Sequence, residues 1–340
     1  MLMIMDDVVR ALMSPEAHEE DVGNIRMMQT ALSYIFLTGK YVYKMKKPIN
    51  LGFLDFTTLE KRKYFCEEEL RLNRRLCKDM YLGVVPINKS NGKIKIGGKG
   101  RTVEYAVKMK EIDQKYIMTE LLKKNKIGKD LIDKIAKILT DFHSKTKTNE
   151  EISKYGSLQV IRGNWNENFE QTNEFIGKTI TENQFEDIKV KINGFIEENN
   201  PLFKKRIENG KIKECHGDVH SGNIFVHGDN IYIFDAIEFN KRFRNSDVAA
   251  EVAFLGMDLD FHERKDLSDH FIGKYVEYSG DEEVLKLLGF YKSYRAFVRG
   301  KINSFQFGDP RMDEKGKDMS QELARRYFEL SQNYVKEFNY

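Results

Sequence analysis

The spacing of hydrophobic positions divides the chain into a strand-rich first third and a helical remainder. Short alternating runs separated by turn residues predict strands over 31–37, 41–45, 84–88, 93–96 and 103–109. One helix is predicted in this part, over 59–76. Helical periodicity then dominates, over 117–124, 129–143, 184–197, 247–259, 283–304 and 320–338. The pattern predicts an α+β protein with a β-rich lobe ahead of a mainly helical lobe.

The change from strands to helices sets the expected boundary between the lobes. It falls near Ile112 and Asp113. We therefore place an N-terminal lobe over residues 1–112 and a C-terminal helical lobe over residues 113–340. A chain of 340 residues exceeds the usual size of one compact domain, which agrees with two lobes.

The composition favours a globular protein of a reducing compartment. Hydrophobic residues make up 41% of the chain, enough to bury a sizeable core. Cys66, Cys77 and Cys215 are odd in number and lack C-x-x-C spacing, which argues against a disulfide scaffold or a zinc site. The formal charge of +3 is small and spread along the chain, so we expect no nucleic-acid partner. The cysteine usage makes a reducing cytoplasm the expected location. Because no apolar run is long enough to span a bilayer, we also expect no membrane association.

The strongest candidate site is a polar loop followed by a predicted β-hairpin. Residues 224–234 contain two strand-like runs joined by a Gly-Asp-Asn turn. Folding this hairpin brings together Asn223, which precedes it, and Asp235, which follows it. Carboxamide and carboxylate oxygens suit a hard cation such as Mg²⁺. We therefore expect Asn223 and Asp235 to hold Mg²⁺, with Asp218 on the tight loop just upstream.

The loop also carries a family signature. From His216 to Ile224 it reads HGDVHSGNI, which resembles the H-G-D-x-H-x-x-N signature of the aminoglycoside phosphotransferase and choline kinase group. This resemblance implies a protein-kinase-like fold and transfer of the γ-phosphoryl group of ATP to a hydroxyl group of a small molecule. It also implies that Asp218 accepts the proton of that hydroxyl while Asn223 and Asp235 hold Mg²⁺. His216 is expected to orient the catalytic loop.

The similarity extends over nearly the whole chain. It resembles a less characterised bacterial and archaeal branch of the group, some of whose members are fused to a P-loop ATPase domain. The segments that carry it are 36–39 (FLTG), 42–44 (VYK), 51–56 (LGFLDF), 81–86 (YLGVVP) and 236–240 (AIEFN). A P-loop ATPase is therefore one candidate partner, beside the small-molecule hydroxyl acceptor.

A nucleotide also needs a cation on its phosphates and a surface for its base. Lys44 resembles the strand lysine of kinases, which pairs with the α- and β-phosphates and with a helix glutamate. Lys46 lies on the same face of the strand and is the alternative. The spacing in the resembling family favours Glu69 as the glutamate. The hinge residues expected to contact adenine are Met109, Lys110, Glu111 and Ile112.

The acceptor pocket is expected in the helical lobe, with its charge left open. An acidic segment offers Asp258, Asp260, Glu263, Asp266 and Asp269. A predicted helix offers Lys292, Arg295, Arg299 and Lys301. Because Arg295 and Arg299 stand four residues apart, they could share a face that binds a carboxylate or a phosphate. A polar patch around Trp165 suits a hydroxyl-rich ligand instead.

Two other functions stay open at this point. One is a dinuclear-metal phosphoesterase, because Gly217–His220 also resembles the G-D-x-H element of that superfamily and Asp141–His143 supplies a D-x-H. The other is a non-catalytic nucleotide sensor or adaptor with a kinase fold. The presence of Asp218, Asn223 and Asp235 together favours an ATP- and Mg²⁺-dependent small-molecule kinase over both.

Overall fold

The computed structural model describes residues 2–338, with side chains from Met5 onward. These residues form two compact units. The first unit contains the residues up to 120 together with 222–241, and the second contains 121–221 together with the residues from 242 onward. The sequence expectation had placed everything after residue 112 in one lobe. The structure instead groups the hairpin segment with the strand-rich unit.

The helices and strands bear out the mixed composition. In chain order the strands are β1 (Arg26–Gln29), β2 (Ser33–Leu37), β3 (Tyr41–Lys46), β4 (Tyr81–Ser90), β5 (Lys93–Ile96), β6 (Arg101–Lys110), β7 (Ile212–Glu214), β8 (Ile224–His227), β9 (Asn230–Ile233) and β10 (Asn245–Asp247). The α-helices are α1 (Leu2–Leu12), α2 (Leu59–Asn73), α3 (Met118–Lys123), α4 (Lys129–Lys145), α5 (Glu150–Ser153), α6 (Leu158–Thr172), α7 (Glu182–Glu198), α8 (Asn200–Glu208), α9 (Lys241–Arg244), α10 (Val248–Phe261), α11 (Lys265–Ser279), α12 (Glu283–Phe307) and α13 (Glu314–Lys336). The α+β class predicted from the sequence is confirmed, whereas α1, β1, α5, α6, α8, β7, α9, β10 and α11 are not among the predicted elements.

The first unit is built on an antiparallel sheet with strand order β1-β2-β3-β6-β4-β5. Side chains of a strand alternate between the two faces, and different elements cover each face. Tyr43 of β3 packs in a core with Leu12 of α1. Val42, on the opposite face, belongs to a core that contains Cys66 of α2 and Phe225 of the hairpin. The hairpin groups with the first unit because Phe225 lies in this core, where it is only 2% exposed.

Two features fix α2 against the sheet. The side chain of Thr58 caps the helix by accepting a hydrogen bond from the backbone N–H of Lys61 at 3.2 Å. Four residues further on, the buried Arg62 guanidinium donates to both carboxylate oxygens of Glu104 on β6, at 3.0 and 2.8 Å. Glu69 lies two helical turns after Arg62, so it is held over the same face of the sheet.

The second unit is helical, with a short antiparallel pair of β7 and β10. Every residue of α10 from Val248 to Leu259 is buried, as expected for a central helix that is surrounded by other helices. Trp165 of α6 packs edge-on against Tyr294 of α12, with 5.3 Å between the ring centroids. None of the helices in the described part of the chain is both long enough and apolar enough to cross a membrane.

A buried arginine ties together distant segments of the second unit. Arg206 of α8 is fully buried and donates to both carboxylate oxygens of Asp247, at 2.8 and 2.6 Å, and to Asp281 at 2.6 Å. Asp247 also caps α10 by accepting from the backbone N–H of Ala249 at 2.8 Å. Asp247 is thus both a helix cap and an ion-pair partner.

We expect Arg206→Leu to destabilise the second unit by about 3–5 kcal/mol, because it removes the cation of the buried Asp247 and leaves the buried Asp281 with Lys211 alone. The matched control is Arg162→Leu, which removes the exposed pair with Glu197 and should cost less than about 1 kcal/mol. Urea unfolding followed by the fluorescence of Trp165, the only tryptophan, measures both. Equal shifts of the unfolding midpoint in the two variants would contradict this account.

Candidate active site

A lysine and two carboxylates meet on the α2 side of the sheet. The Lys44 ammonium lies 2.9 Å from Glu69 Oε1 and 2.5 Å from Asp235 Oδ1. The structure therefore brings together the strand lysine, the helix glutamate and one of the two metal ligands expected from the sequence. Burial alone would lower the pKa of Lys44, but the charges of Asp235 and Glu69 outweigh it and hold the pKa well above its usual value.

The second lysine of β3 shares the same glutamate. Lys46, on the same face as Lys44, is 1% exposed and pairs with the other oxygen of Glu69 and with Glu238. Glu69 is fully buried, and although burial by itself raises the pKa of an acid, the two lysines lower the pKa of Glu69 to about 2. Burial raises the pKa of Glu238, with Lys46 acting against it. Both lysines thus bind Glu69, but only Lys44 also contacts Asp235.

The position of Asp235 is set by its backbone as well as its side chain. Its φ angle is +65°, in the left-handed region that non-glycine residues rarely adopt. Two side chains hold this conformation: the hydroxyl of Tyr81 accepts from the N–H of Asp235 at 3.4 Å, and Asn73 accepts from the N–H of Ala236 at 2.9 Å. The carboxylate remains 42% exposed. These two hydrogen bonds therefore help to stabilise a backbone conformation that costs free energy at a non-glycine residue.

The hairpin brings the two flanking residues together as the sequence predicts. Ile224 pairs with Ile233 at the open end of the hairpin. One step further, the N–H of Phe234 donates to the carbonyl of Asn223 at 3.0 Å. Asn223 thus lies opposite Phe234, and Asp235 is the next residue along the chain. Both side chains offer oxygen ligands of the kind that hard cations prefer.

A cavity of about 630 Å³ lies in the first unit beside the segment after β6. Of the expected adenine contacts, Lys110, Glu111 and Ile112 line it, whereas Met109 is buried in the sheet core. Glu111 closes one edge, because it accepts from the backbone N–H of Gly39 at 2.7 Å and pairs with Arg26 at 3.2 Å. The other lining residues are Leu37, Met80, Asp113, Gln114, Tyr116, His227 and Tyr232.

In the second unit, buried charged groups hold the signature loop by its backbone. Gly217 has a φ angle of +91°, and a Cβ atom there would lie 3.0 Å from the carbonyl oxygen of Phe243, so only glycine fits. Glu251 accepts from the N–H of Gly217 at 2.6 Å, and Arg295 donates to its carbonyl at 3.1 Å. Asp258 accepts from the N–H of Ser221 at 2.7 Å. The loop is therefore braced at both ends.

Asp218 projects from this braced loop. Its side chain is 34% exposed, and His220 Nε2 lies 3.5 Å from its carboxylate. Burial tends to raise the pKa of Asp218, but the neighbouring His220, Arg299 and His216 outweigh it and hold the pKa well below its usual range. The buried His216 accepts from the backbone N–H of Asp218 at 3.3 Å. Asp218 is thus an ionised carboxylate with a fixed backbone.

A second group of side chains supports the loop from beneath. Among the described His, Cys, Asp and Glu residues, the buried His143, Cys215 and Glu251 bring ligand atoms within 4.8 Å of one another. However, His143 is already hydrogen-bonded through both ring nitrogens, to the Tyr275 hydroxyl and to Glu251, each at 2.7 Å. We therefore regard the trio as a hydrogen-bonded support for Gly217, which Glu251 binds.

Comparison with known proteins gives sequence relatives that are themselves uncharacterised. The chain is 30% identical over 283 residues to an uncharacterised protein of Mycobacterium tuberculosis, and equally to one of Mycobacterium bovis. The match covers 83% of this chain and 55% of each relative, so the chain spans about half the length of the relatives. No protein-family model matches the chain.

Solved structures of small-molecule kinases share the fold. Choline kinase from Cryptosporidium parvum aligns with a TM-score of 0.56 at 12% identity, covering 99% of this chain and 95% of the kinase. The amicoumacin kinase hAmiN, in complex with AMP-PNP, Ca²⁺ and Ami, aligns with a TM-score of 0.54 at 11% identity, covering 96% of this chain and 93% of the kinase. A choline/ethanolamine kinase family protein from Mesorhizobium loti gives 0.54 at 10%, covering 98% and 100%. The chain has the fold of these kinases, and the kinase-like fold implied by the signature loop is confirmed.

Sequence reasoning did not identify several residues that shape the site. Lys46 was only an alternative to Lys44, although the alternation of β3 already placed both lysines on one face. Glu238 lay inside the matched segment 236–240 without a role. Tyr81 belongs to the matched segment 81–86 but had no assigned role, and Asn73 lies in no matched segment. Their contacts to the residues after the hairpin join positions more than 150 residues apart in the chain.

We expect Lys46→Met to destabilise the first unit by about 3–5 kcal/mol, since it removes the ammonium group that Glu69 and Glu238 share in a buried site. Adding Glu238→Gln should recover part of this loss, because a neutral amide no longer requires the missing cation. Calorimetric unfolding of the two single variants and the double variant measures the coupling. Strictly additive effects would show that the pair makes no specific contribution.

The lowered pKa of Glu69 gives a further expectation about acid stability. Because its pKa falls from 4.5 to about 2 on folding, ionised Glu69 stabilises the fold above pH 4.5, and this contribution is lost as the pH falls towards 2. Glu69→Gln should therefore lose less stability than the wild type between pH 5 and pH 3 in urea unfolding. Glu67→Gln, which changes an exposed residue of the same helix, should follow the wild type. Parallel curves for all three proteins would contradict the assignment.

Proposed function

We propose that the chain is an ATP- and Mg²⁺-dependent phosphotransferase of the aminoglycoside phosphotransferase and choline kinase group, which phosphorylates a hydroxyl group of a small molecule. The observation that carries the proposal is the contact of Lys44 with both Glu69 and Asp235. Kinases use a strand lysine, a helix glutamate and a metal-binding aspartate to position the phosphates of the nucleotide. The signature loop and the kinase fold support the same function.

The cavity beside residues 110–114 is the proposed site of the nucleotide base. Its volume of about 630 Å³ lies within the range of small-molecule sites. Leu37, Ile112 and Tyr232 offer apolar and aromatic surface to a flat ring. The backbone of residues 111–113 would supply hydrogen bonds to the edge of the base.

Asn223 and Asp235 are the proposed magnesium ligands. The donor set fits the ion, because both are hard oxygen donors at the end of one hairpin and the Asp235 carboxylate is partly exposed. When bound, Mg²⁺ would neutralise charge on the phosphates. Lys44 would add its positive charge on the α- and β-phosphates.

Asp218 is the proposed proton acceptor. In the reaction the acceptor oxygen bonds to the γ-phosphorus, the bond from that phosphorus to the bridging oxygen of ADP breaks, and the hydroxyl proton passes to Asp218. Because the pKa of Asp218 is low, the carboxylate is ionised at neutral pH and can accept a hydrogen bond from the hydroxyl group. Most of the rate enhancement would come from positioning and charge neutralisation.

The two alternative functions are less well supported. For the phosphoesterase, His143 is buried with both ring nitrogens hydrogen-bonded, and Asp141 pairs with Lys137 at 2.9 Å on the helix surface. Neither residue of the D-x-H element is thus presented to a metal site. For the non-catalytic sensor, nucleotide binding without any phosphoryl transfer is the distinguishing result.

A P-loop ATPase partner and a cytoplasmic location stay predictions from the sequence.

We expect the wild type to transfer phosphate from ATP to at least one compound of a hydroxyl-containing metabolite library in the presence of Mg²⁺. Asp218→Asn should reduce kcat by about 10²–10⁴-fold, because the proton acceptor is lost. Lys44→Met should chiefly raise the KM for ATP. Transfer is measured as ³²P incorporation into the acceptor.

The matched control is Asp229→Asn, which changes an exposed carboxylate in the turn between β8 and β9. This variant should retain the wild-type rate. If Asp218→Asn and the wild type consume ATP and label acceptors equally, the assignment of Asp218 is wrong. If nucleotide binds but no compound is labelled by any variant, the sensor function is supported instead.

A further inference from the structure

The acidic segment, one of the two candidate acceptor surfaces, is occupied by bonds within the second unit. Asp258 is buried and accepts from the backbone of the signature loop. Asp260 binds Lys292 at 2.7 Å and the Tyr334 hydroxyl at 2.5 Å. Asp266 and Asp269 pair on the surface with Arg264 and Lys265. The carboxylates nearest to the signature loop are therefore committed, which leaves this segment poorly suited to binding a cationic acceptor.

The basic residues of α12 differ in the partners that they bind. Lys292 is neutralised by Asp260, and Lys301 binds the amide oxygens of Asn168 and Gln171 at 2.6 and 2.7 Å. Arg295 donates to the carbonyl of Gly217, the residue immediately before Asp218. This contact places the face of α12 that carries Arg295 directly beside the signature loop.

Arg299 lies one helical turn beyond Arg295 and therefore on the same face. It is half-buried, and its guanidinium carbon lies 5.6 Å from the centroid of the Tyr327 ring. Among the described residues, no carboxylate lies within ion-pair distance of Arg299. Burial lowers the pKa of Arg299, but Tyr327, Asp218 and Asp258 outweigh it and raise the pKa. A charged guanidinium group thus stands near Asp218 without an ion-pair partner.

We propose that Arg299 binds an anionic group of the acceptor, a carboxylate or a phosphate, and holds the neighbouring hydroxyl group against Asp218. This inference rests on the proposed kinase function and specifies its substrate class. A guanidinium fork matches the two oxygens of a carboxylate or phosphate, whereas it would repel a cation such as choline. The acceptor would then be a hydroxy acid or a phosphorylated alcohol or sugar.

The first test compares acceptors that share a small hydroxylated skeleton and differ in charge. These are glycerate and glycerol phosphate as anions, glycerol as the neutral member, and ethanolamine and choline as cations. Each is supplied with ATP and Mg²⁺, and the phosphorylated product is quantified. We expect product from the anionic members, and comparison of glycerate with glycerol phosphate separates a carboxylate site from a phosphate site. Preferential phosphorylation of the neutral or cationic members overturns the inference while supporting the kinase function.

The second test uses variants of the arginine. Arg299→Gln should raise the KM for the anionic acceptor by about tenfold or more, with a smaller change in the KM for ATP, because one charged contact is lost. Arg299→Lys, which keeps the charge but not the fork, should be intermediate. Arg325→Gln is the matched control, because the exposed Arg325 donates to the backbone carbonyl of Lys178 at 3.0 Å and has no contact with Tyr327 among the described interactions. An unchanged acceptor KM in Arg299→Gln overturns the inference.

A binding measurement distinguishes a failure of the anion site from a failure of the kinase function. Calorimetric titration with glycerate and with inorganic phosphate, without nucleotide, should show an affinity for at least one of them that Arg299→Gln loses and Arg325→Gln retains. Equal binding by wild type and Arg299→Gln, or none by the wild type, counts against the anion site whatever the activity. Arginine-dependent binding without phosphoryl transfer counts against the kinase function alone and leaves the anion site supported.

Discussion

The sharing of one buried carboxylate by two lysines is the interaction on which the first unit of this protein depends. Glu69 has no exposed surface, so its charge must be compensated by neighbours. Lys44 and Lys46 each take one of its oxygens, and this fixes α2 against β3 at two points. Because Lys46 also binds Glu69, Glu69 keeps a counter-ion even when Lys44 turns to another anion. A single lysine could not both neutralise the glutamate and bind phosphate without leaving a buried charge.

The signature loop follows the same physical rule with different groups. Its backbone N–H and carbonyl groups are bound by Glu251, Asp258 and Arg295, all of them buried charged side chains. Hydrogen bonds to charged groups are stronger than those between neutral groups, and they cost much when one partner is lost. The conformation of Gly217 is therefore held by long-range contacts, although its φ angle alone would allow many alternatives. The loop can present Asp218 in a fixed direction because backbone groups of Gly217, Asp218 and Ser221 are held by hydrogen bonds.

The sequence predicted those parts of the fold and site that depend on local chemistry. The hairpin, its Gly-Asp turn and the closeness of Asn223 to Asp235 follow from residues within a dozen positions of one another. The position of Lys44 and Lys46 on one face followed from strand alternation. By contrast, the pairing of Lys46 with Glu238 joins residues 192 positions apart. A single sequence contains many lysines and glutamates, and periodicity does not say which of them meet.

The lobe boundary shows the same limit. Residues 222–241 lie within the helical part of the sequence, yet they join the strand-rich unit because the aromatic side chains of the hairpin complete its core. Neither the length nor the composition of a segment shows that the chain returns to the first unit for these residues. The elements α1 and β1 were not predicted either. Their side chains pack in the core that contains Tyr43 of β3, and this contact cannot be read from the local sequence.

The low pKa of Asp218 bears on how such a residue can act in catalysis. A carboxylate with a depressed pKa is a weak base and cannot remove a proton from an alcohol before the reaction begins. In phosphoryl transfer with a loose transition state, however, the bond to the leaving group is largely broken before the new bond forms. The hydroxyl proton then becomes acidic late, when the oxygen has already bonded to phosphorus. In the proposed reaction an ionised, rigidly held Asp218 would suit that order of events, because it would first orient the hydroxyl group and accept the proton afterwards.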